Sequence, residues 1–268
     1  MKTLKQHIYE KLKVSKPTYT LFPKTKEELK HMIEDEISKK GNECSLNHID
    51  VSRITDMSGL FRTSKFNGDI SDWDVSNVEN MGGMFQSSKF KGDISNWDVS
   101  SVTNMSGMFQ NSIFNGDISD WDVSSVTNMY VMFKESKFNG DISKWDVSGV
   151  NDMSGMFEDS IFNGDISDWN VSSVKYMGNM FAYSKFNKDI SKWDASNVEN
   201  MYSMFRNSNF DGDISNWNVS NVKDIRTIFL GSVFDGDISK WDVSRVQFMD
   251  NAFDHSPLEN NPPKWYKK

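Results

Sequence analysis

The sequence predicts a repeat solenoid, a stack of about nine coils built from one 24-residue unit. Tryptophan recurs every 24 residues from Trp73 to Trp241, and two phenylalanine columns repeat with the same period. No insertion interrupts this spacing, so every coil is expected to follow the same path. A single unit cannot bury its own apolar face, and stacking on both neighbours therefore creates the core.

Within one unit, the apolar spacing changes from two residues to three or four. Trp73 and Val75 alternate with polar residues, which predicts a short β-strand that pairs in parallel with the strands of neighbouring coils. Segment 78–85 then places valine, methionine and phenylalanine at steps of three and four, which predicts a short helical turn. Ser76 precedes this turn, where its hydroxyl is suited to capping.

The regions outside the repeat predict terminal elements. Thr25 and Glu28 form a capping-box pattern that opens a helix, and this helix is expected to cap the first coil. Before it, an apolar stripe predicts an amphipathic docking helix or tether with the residues Leu4, Ile8 and Leu12. The predicted division is a docking helix or tether, an N-terminal capping helix, the solenoid and a C-terminal cap or tail, at residues 1–16, 17–41, 42–256 and 257–268.

Composition disfavours several classes of partner. The formal net charge of −8 opposes binding to nucleic acid and to anionic membranes. No stretch approaches the roughly 18 apolar residues of a membrane span, and Cys44 is the single cysteine, which excludes an internal disulfide. The lysine-rich segment 1–16 lacks the apolar core of a signal peptide. We therefore expect a cytoplasmic or virion-associated protein, with a cell-surface location only if an export segment precedes the sequence.

The sequence also lacks the patterns of catalysis and of cofactor binding. It contains no glycine-rich phosphate loop and no serine nucleophile elbow. Its four histidines are scattered without the spacing of a zinc site. A catalytic site normally interrupts a repeat locally, and this repeat is uninterrupted. The prediction is a protein that is not an enzyme and has no cofactor or metal.

The position after tryptophan carries a recurring carboxylate, replaced by asparagine in two coils. Like charges one strand apart repel, so a compensating interaction is expected. Three remain open: hydrogen bonds to nearby serines or loop amides, a face for a basic or hydrogen-bond-donating partner, and a calcium ladder, for which one carboxylate per coil is a thin supply of ligands. The carboxylates considered for a partner-binding face are Asp74, Asp98, Asp122, Asp146, Asp194 and Asp242.

The position before tryptophan varies among aspartate, asparagine and lysine, and it changes from mainly acidic to more basic along the chain. A variable polar column is where a repeat protein would encode its specificity, although simple solvation explains the same pattern. The charged residues of this column, also assigned to the partner-binding face, are Asp72, Asp120, Lys144, Asp168, Lys192 and Lys240.

The repeat motif is Ile-x-x-Trp-x-Val-Ser-x-Val-x-x-Met-x-x-Met-Phe, with Phe-Asn-Gly-Asp at the corner. It resembles the BspA-like leucine-rich repeats, including the related repeat domain of unknown function found in mycoplasma surface lipoproteins, over roughly residues 42–256. The resemblance implies a right-handed, leucine-rich-repeat-like solenoid with a parallel sheet on its concave side. Relatives often act as surface adhesins or protein-binding modules. This sequence differs from them because it lacks an export signal or lipid-anchor cysteine near its start.

Three functions follow as hypotheses. The leading one is a non-enzymatic scaffold that binds a protein partner on the concave sheet. The first alternative is a structural component, such as a spacer of a virion or appendage, attached through residues 1–16. The second alternative is a surface adhesin.

Overall fold

The computed structural model describes residues 18–267, so the docking helix predicted at residues 1–16 lies outside the described residues. Helix α1 spans Lys26–Lys40, and a single 3-10 helix spans Pro257–Glu259. Between them the chain forms turns that stack with a period of 24 residues. The predicted repeat therefore appears as contacts between equivalent residues of successive coils.

The prediction of a leucine-rich-repeat-like solenoid, with a parallel β-strand and a helical turn in each coil, is wrong. Between residues 18 and 267 the structure contains isolated parallel bridges and no strand, and the bridges join residues such as Asn80 and Asn104. At the predicted strand, Trp73 closes a turn, and its backbone N–H donates to the carbonyl of Ile70 at 3.2 Å. The carboxylate of Asp74 bonds locally, which competes with the pairing of a strand.

The predicted helical turn is instead a run of overlapping i→i+3 turns. The N–H of Met84 donates to the carbonyl of Met81 at 3.1 Å, while the N–H of Gly83 donates to Ser106 of the next coil at 2.7 Å. Left-handed φ angles of 61° at Gly83 and 56° at Ser87 prevent a continuous helix. Such turns also direct the side chain of every third or fourth residue into the core, and the spacing of apolar residues therefore resembles that of a helix.

Three aromatic ladders fill the core. Phe85 stacks on Phe109 of the next coil with ring centroids 5.7 Å apart and planes 6° from parallel. The indole N–H of Trp97 donates to the carbonyl of Ile70 at 3.2 Å, a bond that phenylalanine could not make. Aromatic pairs contribute about 0.5–1.5 kcal/mol each beyond their burial, so the ladders bind successive coils firmly. The ladders follow the columns of Phe85, Phe90 and Trp73.

Helix α1 covers the first coil. Thr25 caps it, and the Thr25 hydroxyl accepts the N–H of Glu28 at 3.2 Å. Leu29 and Ile33 of the helix are buried in the core of the stack. The ammonium of Lys26 lies 3.3 Å from the carboxylate of Asp56 in the first coil.

The tail covers the last coil. The ring of Trp265 lies 6.5 Å from that of Trp241, and its N–H donates to the carbonyl of Ile238 at 2.9 Å. Leu258, in the 3-10 helix, is buried. Within residues 18–267, no helix has both the length and the apolar character needed to cross a membrane.

Candidate partner-binding surface

The recurring carboxylates after tryptophan make local hydrogen bonds. Oδ1 of Asp98 accepts the backbone N–H of Ser100 at 3.2 Å and its hydroxyl at 2.6 Å. Asn170 accepts the N–H of Ser172 in the same geometry at 3.1 Å, so the turn needs an oxygen and no charge. The equivalent aspartates are exposed, except Asp74, which is half-buried. The same local bond is made by Asp74, Asp122, Asp146, Asp194 and Asp242.

Hydrogen bonds from serines stabilise the charged form of Asp146 and Asp242. The hydroxyl and backbone N–H of Ser148 lower the pKa of Asp146, and Ser244 does the same for Asp242. A second aspartate column follows the glycine corner, and the backbone N–H and hydroxyl of Ser119 lower the pKa of Asp117 in that column. Both carboxylate columns therefore serve the turns of the stack.

The charged residues before tryptophan are all exposed. Lys192 lies 3.8 Å from Asp168 of the preceding coil, but both side chains are more than two-thirds exposed. Such a surface ion pair contributes about 0–1 kcal/mol to stability. Asp72 is held through its backbone N–H, which donates to Asn47 at 3.1 Å. The binding role assigned to Asp72, Asp120, Lys144, Asp168, Lys192 and Lys240 stays a prediction.

The described residues give little support for a metal site or a reactive thiol. Across residues 18–267, no three histidine, cysteine, aspartate or glutamate side chains gather in a way that would hold a metal ion. Cys44 is partly buried against the core, and this burial raises the pKa of its thiol. A raised thiol pKa disfavours the nucleophilic thiolate.

The surface with the most varied chemistry is formed by the overlapping turns, and we call it the turn face. It comprises the five columns that contain Asn80, Gly82, Gly83, Gln86 and Ser87. Asn80 Oδ1 accepts the N–H of Gly82 at 3.0 Å, and the alternate N–H groups of the segment donate to the next coil. This dense backbone bonding holds the side chains of the turn face on a rigid support.

The turn face varies more from coil to coil than the columns beside tryptophan. The column of Gly82 contains glycine, serine, tyrosine, arginine and aspartate, and that of Gln86 contains amides, both charges, alanine and leucine. In the repeat region, every tyrosine lies on the turn face, at Tyr130, Tyr176, Tyr183 and Tyr202. Three of these, Tyr130, Tyr176 and Tyr183, are 42–48% exposed.

Two open grooves lie along the turn face, and none of the residues beside tryptophan lines either groove. The first has a volume of about 520 Å³, and glycines and amide side chains dominate it. We call it the amide groove. Its lining residues are Ser58, Gly59, Arg62, Asn80, Gly82, Gly83, Gln86, Asn104, Ser106, Gly107, Gln110, Tyr130 and Val131.

The second groove has a volume of about 490 Å³ and lies further along the stack. Two tyrosines, an arginine and two aspartates distinguish it, and we call it the aromatic groove. Its lining residues are Asp152, Ser154, Tyr176, Gly178, Asn179, Asn200, Tyr202, Asp224 and Arg226.

An arginine is fixed at the end of the aromatic groove. The guanidinium of Arg226 donates to both carboxylate oxygens of Asp224, from Nε at 3.0 Å and from Nη2 at 2.6 Å. It also lies 5.4 Å from the ring centre of Tyr202 and 5.0 Å from that of Phe248. Hydrogen bonding to Asp224 raises the pKa of Arg226. Arg226 is therefore positioned before any partner arrives.

Sequence reasoning missed the turn face because it assigned segment 78–85 to a helical turn that packs on the core. The available signal was the coil-to-coil variation of residues such as Tyr130, Tyr202 and Arg226 at one position of the unit. A variable column that includes tyrosine and arginine has the composition of a binding surface.

One of the comparisons with known proteins identifies a repeat family. No curated protein and no solved structure matches the chain. The model of the family described as "Mycoplasma protein of unknown function, DUF285" matches four overlapping segments, at residues 27–136, 85–185, 111–206 and 162–265. Because these matches cover most of the chain, the protein belongs to this repeat family.

Proposed function

We propose that the protein is a non-enzymatic scaffold that binds a protein partner on its turn face. The observation that carries this proposal is the concentration of tyrosine, arginine and small polar residues on one face of an otherwise constant stack. The core columns repeat nearly unchanged, whereas the turn face differs in almost every coil. Stacking alone does not require such variation.

The composition of the turn face supports a protein partner. Tyrosine, serine, glycine and asparagine, with arginine at the strongest contacts, are the residues that antibody paratopes use. Tyrosine offers a large contact area and loses little rotational freedom on binding. At Arg226 the ion pair with Asp224 has already fixed the side chain, which lowers the entropy that binding would cost.

The test compares two double variants of the full chain, each built from residues that other coils carry in the same columns. Tyr176→Asn with Tyr202→Ser changes the turn face, and Lys144→Asn with Lys192→Asn changes the column before tryptophan. Each bait captures partners from the native source, and the affinity of the captured protein is then measured by calorimetry. We expect the turn-face variant to weaken binding by about tenfold or more and the lysine variant to bind normally.

The proposal fails if both variants retain a partner with unchanged affinity, or if only the lysine variant loses it. Thermal unfolding of each variant provides the control, since a large change in Tm would attribute lost binding to lost fold.

The finer kinship to the BspA-like repeats, as opposed to the mycoplasma-related family alone, is part of this proposal. The repeat motif supports it, together with the protein-binding role of those relatives. A partner captured through the turn face would add functional support.

A further inference from the structure

We propose that the aromatic groove receives a cationic side chain, lysine or arginine, from an extended segment of the protein partner. This inference rests on the proposed function and specifies the chemistry of the partner. It is carried by the charge of the groove, by its exposed tyrosine and by the glycine at its floor.

Polar groups of the amide groove already bond to each other. Asn104 Nδ2 donates to Asn80 Oδ1 at 3.0 Å, and Gln86 Nε2 donates to Gln110 Oε1 at 2.6 Å. These side chains bridge neighbouring coils, and a ligand would have to break their bonds. Donors such as Asn80 Nδ2 still have no partner among residues 18–267, but the one charged residue that lines the amide groove is Arg62, which repels a cation.

In the aromatic groove a tyrosine interrupts the asparagine column. Tyr176 stands between Asp152 and Asn200, so the amide of Asn200 has no asparagine beside it. Asn200 Oδ1 accepts the N–H of Tyr202 at 2.9 Å. Its Nδ2 makes no hydrogen bond to any residue between 18 and 267. This donor cannot pair with a cation, but it can pair with a backbone carbonyl of an extended partner segment.

The charge of the aromatic groove favours a cation. Its one basic residue, Arg226, is neutralised by three charge-assisted bonds to Asp224. Asp152 Oδ1 accepts the N–H of Ser154 at 2.8 Å, but Asp152 forms no ion pair within the described part of the chain. One carboxylate is therefore left unbalanced, on a chain with a net charge of −8. This field attracts basic partners and repels acidic ones.

The aromatic rings reinforce the preference for a cation. Tyr176 is 42% exposed and pairs with Asp152 across a parallel bridge, which brings its ring and the carboxylate into adjacent coils. A cation over a tyrosine face gains the attraction of the ring quadrupole in addition to that of the carboxylate. The stack already uses this interaction internally, where Arg226 lies between Tyr202 and Phe248.

At Gly178 the floor of the groove carries no side chain. This glycine is buried, and a Cβ there would lie 3.0 Å from Asn200 Oδ1 and 3.4 Å from the Tyr202 carbonyl. Tyr130 and Tyr202 occupy the same column in other coils, so the backbone at this position accepts a large residue. Gly178→Tyr should therefore fill the groove without loss of the stack.

The experiment uses a displayed library of random linear peptides selected on the full chain. We expect enriched peptides to share one lysine or arginine, and replacement of that residue by norleucine should weaken binding by about tenfold or more. Asp152→Asn and Gly178→Tyr should each weaken the same peptides to a similar extent. Gly82→Tyr, the matched filling of the amide groove, should change their affinity by less than about twofold.

The other outcomes distinguish a failure of this inference from a failure of the proposed function. Peptides that lose affinity with Gly178→Tyr but carry no basic residue would overturn the cation assignment and leave the proposed function standing. A selection without enriched peptides, or with peptides insensitive to Gly178→Tyr, would overturn this inference. If neutral oligosaccharides screened in parallel bound only the unfilled groove, the site would belong to a carbohydrate, and both the inference and the protein partner would be wrong.

Discussion

The amide groove and the aromatic groove have the same backbone and core but opposite chemistry. Both lie over overlapping turns, and both rest on the same ladders of phenylalanine and tryptophan. In the amide groove, Gln86 and Gln110 share one hydrogen bond, and Arg62 supplies the charge. In the aromatic groove, Tyr176 and Asp152 remain available. A constant stack therefore allows single side chains to change what a surface recognises.

The largest effect is expected from a substitution that breaks the stack between the two grooves. Phe133 stacks on Phe109 at 5.7 Å and on Phe157 at 5.9 Å, so it joins the coils of the two halves. Phe133→Ala removes both contacts and leaves a cavity, and we expect a loss of about 3–5 kcal/mol in unfolding free energy. Denaturant titration followed by tryptophan fluorescence measures this loss.

The shape of the Phe133→Ala transition sharpens the comparison. Repeat proteins are stabilised mainly by contacts between neighbouring units, and we therefore expect the two halves to unfold in separate steps. Phe61→Ala, at the first coil, is the control and should destabilise one end only. A single transition with unchanged midpoint in Phe133→Ala would contradict the importance of the ladder.

A smaller effect is expected at the edge of the amide groove. Val131 has a φ of 48°, a left-handed conformation that β-branched residues rarely adopt. Glycine stands in the same column in the two flanking coils, at Gly107 and Gly155. Val131→Gly should relieve about 1–2 kcal/mol of strain, partly offset by the greater freedom of the unfolded chain. The net expectation is a rise of about 0.5–1 kcal/mol in stability, measured as a higher Tm.

The reverse substitution is the matched control for Val131→Gly. Gly107 has a φ of 61°, and Gly107→Val should lower the Tm, because valine would acquire the same strain. If Val131→Gly also lowered the Tm, the contacts of the valine side chain would outweigh its backbone strain.

The smallest effect concerns acid and should arise in the half of the stack that holds the aromatic groove. Hydrogen bonds from serines lower the pKa of Asp146, Asp194 and Asp242 in the folded chain. Their contribution to stability is therefore complete above the ordinary aspartate pKa of about 3.9. It is lost as the pH falls below that value through the folded pKa. The Tm should stay constant from pH 7 to about pH 4 and fall as the pH drops further.

Asparagine variants separate charge from hydrogen bonding. Asn170 already accepts the same serine N–H, so the triple variant Asp146→Asn, Asp194→Asn and Asp242→Asn should fold at pH 7 with a slightly lower Tm, because its amide oxygens carry no charge. It should also lose less stability in acid than the unmodified chain. An equal loss in acid would show that other groups control the acid response.

The repeat period could be predicted from the sequence, because equivalent aromatic residues contact each other across coils. The local conformation could not, since turns that place Met81 and Met84 in the core have the same spacing as a helix. The strand prediction was wrong for a related reason. The alternation of Trp73 and Val75 reflects the burial of their side chains, whereas the local hydrogen bonds of Asp74 hold the backbone in a turn. The turn face was not predicted because the columns beside tryptophan were interpreted as the binding face and segment 78–85 as a helical turn.

The bonding between coils also gives the stack an electrical direction. In the overlapping turns four N–H groups of a coil, such as those of Met81 and Gly83, point towards the next coil, whereas fewer, such as that of Glu79, point back. Peptide dipoles aligned in this way add along an axis, as they do in a helix. The last coil is thus the positive end, where Glu259 accepts the N–H of His255 at 2.8 Å. The first coil is the negative end, and the ammonium of Lys26 lies against it.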